Sequence, residues 1–254
     1  MQGIHGKSHF ELEQYVDLTL FDNIQLDIIK GIATAKQLAR HGYLSKHLII
    51  NEEDRSFKPD VKFLYSSYGN YLQLPDTDPI KVMGTEINER YGYNGLSTFL
   101  KFLYKSHDSY LHYSLWNFYP GWRDNTQNRE LTDVANHFTK LIEFIDTLSI
   151  FKTIGRAYLI AIDSNGYSFE HRDPALDPDV DDKTLPEFIH IRPDVSRPFY
   201  VYDSDTKTKH YVNSRVGWWN DRDIHGGDMV PEPSYAIRLD GVFTDEFRKQ
   251  IGII

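Results

Sequence analysis

The 254-residue chain contains no cysteine. That excludes disulfides, iron–sulfur clusters, thiol nucleophiles and cysteine-ligated zinc, and leaves His, Asp and Glu to hold any metal. Basic residues are also in deficit: 28 Lys and Arg stand against 37 Asp and Glu, a net charge of −9. No long Lys/Arg run occurs, so a nucleic-acid partner is not expected, because such affinity rests on cationic neutralisation of phosphates. No apolar stretch approaches the roughly 20 residues that cross a bilayer. The start, Met1-Gln-Gly-Ile-His-Gly, lacks the basic patch and apolar run of a secretion signal. The sequence therefore predicts a soluble, cytoplasmic protein. Internal repeats and low-complexity tracts are lacking too, which argues against a solenoid or a disordered tail.

What the chain does have is 40% hydrophobic residues, enough for an ordinary core. No flexible linker divides it, so residues 1–254 are expected to form a single domain. The pattern changes near residue 150. Before it lies a mixed flanking part, 1–150. Ile24, Ile28, Ile29, Ile32, Ala35, Leu38 and Ala39 recur at helical spacing, predicting a helix over 24–41. Leu96, Phe99, Leu100 and Leu103 predict another over 94–104, with Asn94 as N-cap. A third, over 130–149, carries a continuous stripe from Leu131 to Leu148, and 111–119 reads as a strand.

After residue 150 the helical period disappears. β-branched and aromatic runs at 157–162, 167–173, 187–192, 198–203, 209–213, 216–220, 223–227 and 235–243 alternate with Asp, Asn, Gly and Pro. Eight short strands at this spacing predict an all-β core over 151–243, closed or sandwiched, with the flanking helices outside it. Acidic, Pro-containing 177–183 reads as a loop, and 244–250 as a short helix within a C-terminal tail, 244–254.

The chemistry-bearing cluster is His171-Arg172-Asp173, followed by His225 and then Arg238. Residues i and i+2 of a strand share a face, about 6–7 Å apart, so one imidazole and one carboxylate converge. Two His and one carboxylate make the facial triad of non-haem Fe(II) sites, leaving positions for a bidentate cosubstrate and O2. A dicarboxylate held there needs a fixed cation at its far end, for which a forked guanidinium suits best. His9 and Glu11 repeat the His-x-acid spacing without a barrel context or a suitable third ligand, and read as a surface pair in a polar turn.

The stretch from Arg156 to Phe243 resembles the double-stranded β-helix (jelly-roll, cupin-like) core of Fe(II)/2-oxoglutarate dioxygenases. His171 and Asp173 match the first metal motif and His225 the distal ligand, with Arg238 thirteen residues after it. Phe188-Ile-His-Ile-Arg-Pro, Pro198-Phe-Tyr-Val, Val216-Gly-Trp-Trp-Asn and Tyr235-Ala-Ile-Arg-Leu-Asp follow the rhythm of the aspartyl/asparaginyl hydroxylase branch. Asp173, by contrast, matches the prolyl hydroxylases, since the aspartyl/asparaginyl type lacks a metal carboxylate. The resemblance implies Fe(II) on His171, Asp173 and His225. It also implies 2-oxoglutarate against Arg238, His190 and Tyr158, with O2 completing the reaction and ascorbate supporting it in assay. Arg192 is the competing cation for the cosubstrate carboxylate. Asp240 stands where the family has Ser or Thr, and would repel a carboxylate if it faced inward.

The implied outcome is hydroxylation of a peptidyl side chain or small molecule, releasing succinate and CO2. A non-oxidative cupin-type isomerase or ligand-binding module is the alternative. Trp218 and Trp219 alternate across one strand, so only one can line the interior. Trp116, Tyr119, Trp122 and Arg123 surround Pro120-Gly121 and could border a substrate mouth or pack structurally.

Overall fold

The computed structural model describes residues 1–40, 75–79, 81–86, 110–116, 131–162, 168–171 and 185–254. The expected helix over 94–104, the loop over 177–183, and Tyr119, Trp122, Arg123 and Asp173 lie outside these. The described strands are β1 (His9–Glu11), β2 (Tyr110–Ser114), β3 (Phe151–Ile162), β4 (Ser168–His171), β5 (Glu187–Ile191), β6 (Phe199–Asp203), β7 (Thr208–Tyr211), β8 (Val216–Trp219), β9 (Ile224–Gly227) and β10 (Ser234–Phe243). They form two antiparallel sheets, a six-stranded one in the order β1-β8-β5-β10-β3-β2 and a four-stranded one in the order β4-β9-β6-β7. From β3 onward the chain shuttles between the sheets.

Period-2 alternation divides the six-stranded sheet into two faces. Ala157, Leu159, Ala161, Ile189, Ile191, Ile237 and Leu239 point to one face. They share a core there with Phe21 of helix α1 (Thr19–Asn23), Ile28 of α2 (Gln25–Arg40), and Leu141, Phe144 and Ile145 of α3 (Thr139–Asp146). Tyr158, Ile160, Ile162 and Ala236 occupy the other face, toward the four-stranded sheet. A short helix, α4 (Asp245–Gln250), closes the chain with Thr244 as its N-cap. No described helix is long and apolar enough to cross a membrane.

The helix expected over 130–149 is not continuous. A 3-10 turn, Asp133–His137, ends at Phe138 (φ −133°, ψ 33°), where α3 begins. Leu131, assigned to the buried stripe, is 48% exposed and bridges to Trp116 instead. The cause is tertiary. The Thr132 hydroxyl donates to the Ser114 carbonyl at 2.6 Å, tying this segment to β2. The break also lets Phe138 pack on Tyr113 and against α2 at Gly31, where a Cβ would meet the Phe138 ring and the His137 carbonyl. The His9–Glu11 pair is likewise no turn, but an edge strand on β8.

β3 and β10 run together over ten paired positions, with register shifts between Asp240 and Gly241 and between Val242 and Phe243. At the first shift a Cβ on Gly241 would run into the Thr153 carbonyl oxygen, a backbone atom that cannot rotate away. Gly241→Ala is expected to cost at least about 1–3 kcal/mol by overpacking. A lower urea midpoint at constant m would show this; an unchanged midpoint would mean the bulge relaxes freely.

Candidate functional site

The cavity between the sheets is walled by β3, β5, β8 and β10 on one side and β6 and β9 on the other. It contains roughly 740 Å³ of empty space, open solvent at its mouth included, the scale of a small-molecule site. Ring contacts hold the sheets together across it: Phe199 stacks on His190 at 5.3 Å and packs on Trp219 at 4.5 Å, and Trp219 lies 5.5 Å from His225.

The three residues expected on the cosubstrate side fall in one cross-strand row. Arg238 on β10 is directly opposite Tyr158 on β3 and directly opposite His190 on β5. Opposed residues of an antiparallel pair share a face, and all three line the cavity. Ile160, Ile162 and Ala236, two and four residues along, make the same wall apolar. Of the tryptophan pair, Trp219 lines the cavity, while Trp218 packs behind it on Phe10 and Phe243.

Of the expected metal ligands, His225 is 3% exposed, lines the cavity, and has Nδ1 2.9 Å from the Asp223 carbonyl. With Nδ1–H donating there, the neutral ring carries its lone pair on Nε2, the arrangement that orients metal-binding imidazoles. The register sets position 171 directly opposite His225. Asp173, two residues beyond β4, lies outside the described residues. Among the described residues no group of three or more His, Asp or Glu could hold a metal.

Arg238 is not a lone cation. Its Nε donates to Asp240 Oδ1 at 3.0 Å and its Nη2 to Asp221 Oδ2 at 2.6 Å, while its guanidinium carbon sits 3.9 Å over the Phe188 ring. Asp240 in turn accepts from Arg156 Nε at 2.8 Å. Two guanidiniums and two carboxylates thus form a buried cluster. Asp240, expected to repel an incoming carboxylate, has its charge balanced within it. Burial alone would raise the Asp240 carboxyl, but Arg156 and Arg238 outweigh it and hold the group below the ordinary carboxylate range.

Arg192 and Arg197 frame the rim. Arg192 donates to the carbonyls of Arg197 (2.9 Å), Val212 (2.8 Å) and Ser214 (2.6 Å). Arg197 donates to Ser234 Oγ (2.6 Å) and to the carbonyls of Asp228 (3.0 Å) and Glu232 (3.3 Å). Arg192 has no carboxylate at ion-pair distance among the described residues, and burial pushes it down to about 10. His190 is driven well below 6.5, first by burial and then by the positive charge of Arg192 and Arg238 and by His225, so its ring is neutral at pH 7. In a chain of net charge −9, the described residues of the wall include Arg192, Arg197 and the carboxylate-paired Arg238, and of carboxylates only the exposed Asp194. Such a cavity favours an anion.

Asp221, Arg156 and the Asp223 carbonyl were not singled out from the sequence. Asp221 and Asp223 precede His225 by four and two residues, yet nothing in that spacing names Arg238 as the partner of one, and a backbone carbonyl leaves no residue-type signal.

No family model and no curated protein matches the sequence. Solved structures similar to this chain include an oxidoreductase of the 2OG-Fe(II) oxygenase family from Burkholderia pseudomallei, at 12% identity and TM-score 0.35, covering 52% of this chain and 68% of that one. A prolyl hydroxylase from Trichoplax adhaerens, in complex with a hypoxia inducible factor oxygen degradation domain peptide fragment, aligns at 10% identity and TM-score 0.31, covering 56% and 66%. A DMSP lyase from Ruegeria pomeroyi aligns at 10% identity and TM-score 0.29, covering 74% and 93%.

Proposed function

We propose that this chain is a non-haem Fe(II)- and 2-oxoglutarate-dependent oxygenase built on a double-stranded β-helix, strands β3 to β10. The observation that carries the reading is the register. It lines up Tyr158, Arg238 and His190 across one sheet and sets position 171 opposite His225 in the other, with Tyr158, Arg238, His190 and His225 lining one cavity. His171, Asp173 and His225 would hold the iron, His225 through Nε2. Bound iron and 2-oxoglutarate would supply the oxidising chemistry, with O2 consumed and succinate and CO2 released.

The protein's own part is to bind and orient. Arg238 faces the far carboxylate of the cosubstrate from within a preorganised cluster, so its guanidinium does not reorient on binding. Tyr158 and His190 flank it as hydrogen-bonding neighbours in the same row. Ile160, Ile162, Phe199 and Ala236 keep water from the reacting centre. The substrate hydroxylated is a peptidyl side chain or a small molecule.

Incubating the purified chain with Fe(II), ascorbate and 2-oxoglutarate should yield succinate above a chelator-treated control. A chain that binds metal yet neither binds 2-oxoglutarate nor forms succinate would instead be a non-oxidative metal-binding cupin.

A further inference from the structure

The chain passes from β8 in one sheet to β9 in the other through a tight turn, 220–223, closed by the Asp223 N–H on the Asn220 carbonyl at 2.9 Å. The turn touches both halves of the site. Asp221 accepts from Arg238 Nη2 at 2.6 Å, and the Asp223 carbonyl lies 2.9 Å from His225 Nδ1. The Asp223 carboxylate turns the other way, toward the start of the chain. It is 4% exposed and accepts from two consecutive backbone N–H groups, Gln2 at Oδ1 and Gly3 at Oδ2, both at 2.7 Å. Asn220, fully buried, donates from Nδ2 to the Gly3 carbonyl at 3.1 Å and accepts at Oδ1 from the Arg222 N–H at 3.1 Å. Gly3 permits this approach: its φ is +72°, and a Cβ there would lie 2.7 Å from the Lys7 carbonyl oxygen.

We infer that Asp223 is a positioning residue for His225: its carboxylate, gripped by Gln2 and Gly3, fixes the carbonyl that sets the imidazole's tautomer and angle. The inference rests on the functional reading above, in which His225 offers Nε2 to the metal, and extends it to residues that do not line the cavity. A carbonyl orients a ring only as firmly as its own peptide is held. β9 begins at Ile224, so the Asp223 peptide lies outside the strand ladder. What holds it is the turn bond and its own side chain. N–H bonds to a carboxylate are shorter and roughly twice as strong as neutral ones, and two of them fix the group in rotation as well as in place. The residue type follows from this. A carboxylate presents two acceptors and no donor, whereas the amide of Asn would turn a donor toward one of the two N–H groups.

The test uses the full chain, labelled with ¹⁵N in its histidine rings and free of metal, in alkaline buffer where those rings are neutral. Of the eleven histidines, His225→Ala identifies the relevant signals. In the wild type Nδ1 should be pyrrole-like and Nε2 pyridine-like. In Asp223→Ala the two shifts should converge as both tautomers populate, with Asp223→Asn in between. With Zn(II) as a second probe, Asp223→Ala should bind about tenfold more weakly, the lower end of the range for a residue that orients a metal ligand. Thr244→Ala, which removes the N-cap of α4 and so acts on stability alone, should change neither readout. Should Asp223→Ala not fold, Asp223→Asn and Gly3→Ala, which strains the other side of the clamp, carry the test. Wild-type ring shifts and Zn(II) affinity in both of these would overturn the inference, and Asp223 would then only tether the start of the chain. If the shifts converge in the variants but Zn(II) does not bind the wild type, the positioning stands and the metal reading of the site falls.

Discussion

Arg238→Ala should destabilise the fold by about 3–5 kcal/mol, the cost of removing one member of a buried charge pair. Arg238 is 3% exposed and bonds both Asp221 and Asp240, the latter fully buried. Taking the guanidinium away removes an ion-pair partner from Asp221 and one of the two from Asp240. Asp240 supplies the acid arm of the same prediction. Its carboxyl is held low in the folded protein, so its contribution is present above the unfolded carboxyl range and is lost as pH falls through the depressed native value. With Arg238 gone that native value rises, and acid unfolding should begin at higher pH. Urea titrations at neutral pH and stepwise into acid would measure both. Arg238→Met combined with Asp221→Asn should recover part of the loss, because no charge is then left uncompensated. Equal midpoints for wild type and Arg238→Ala would show that the cluster is not a stability element. Any 2-oxoglutarate binding measured on an Arg238 variant must therefore be compared at matched folded fraction, since the residue serves the fold and the proposed site together.

His225→Ala should abolish metal binding at micromolar concentrations while leaving the fold largely intact. Losing a residue that only orients a ligand costs metal affinity about 10–100-fold, and losing the ligand itself should exceed that. The ring's Nδ1 bonds a backbone carbonyl, and it is not a member of the buried Arg156–Arg238 charge cluster, so stability should suffer far less than in Arg238→Ala. Mn(II) binding by electron paramagnetic resonance separates the cases. Asp173→Ala, run in parallel, tests the ligand that sequence alone nominates. Retained metal binding in His225→Ala would remove the triad, whereas its loss there with retention in Asp173→Ala would leave two histidines and seek the carboxylate elsewhere.

Much of the strand pattern was legible because alternation is local. The runs at 187–192, 198–203, 209–213, 216–220, 223–227 and 235–243 correspond to β5 to β10 within a residue or two at most boundaries. The same alternation foretold that only one of Trp218 and Trp219 could line the interior. It failed where packing overrode period. Phe151 to Arg156 lie outside the first expected strand, 157–162, but pair with β10 across two register shifts. The stripe from Leu131 to Leu148 has good helical spacing, yet Thr132 bonding β2 and Phe138 seating on Gly31 break it.

By itself the sequence determined which chemistry is open to this protein. With no cysteine, a His-x-Asp spacing, a distal His and a strand-borne Arg, a metal could be held only by imidazole and carboxylate. It also placed Tyr158, His190 and Arg238 on strands, because side-chain direction follows from position along each strand. Tertiary structure alone decided that these three form one row, that Arg238 is paired with Asp221 and Asp240, and that Trp219 has no acceptor among the described residues. Those outcomes depend on partners as far as 84 residues apart in the chain, as Arg156 and Asp240 are. The free energy of a buried charge or donor is set by what surrounds it in space, which no spacing along the backbone encodes.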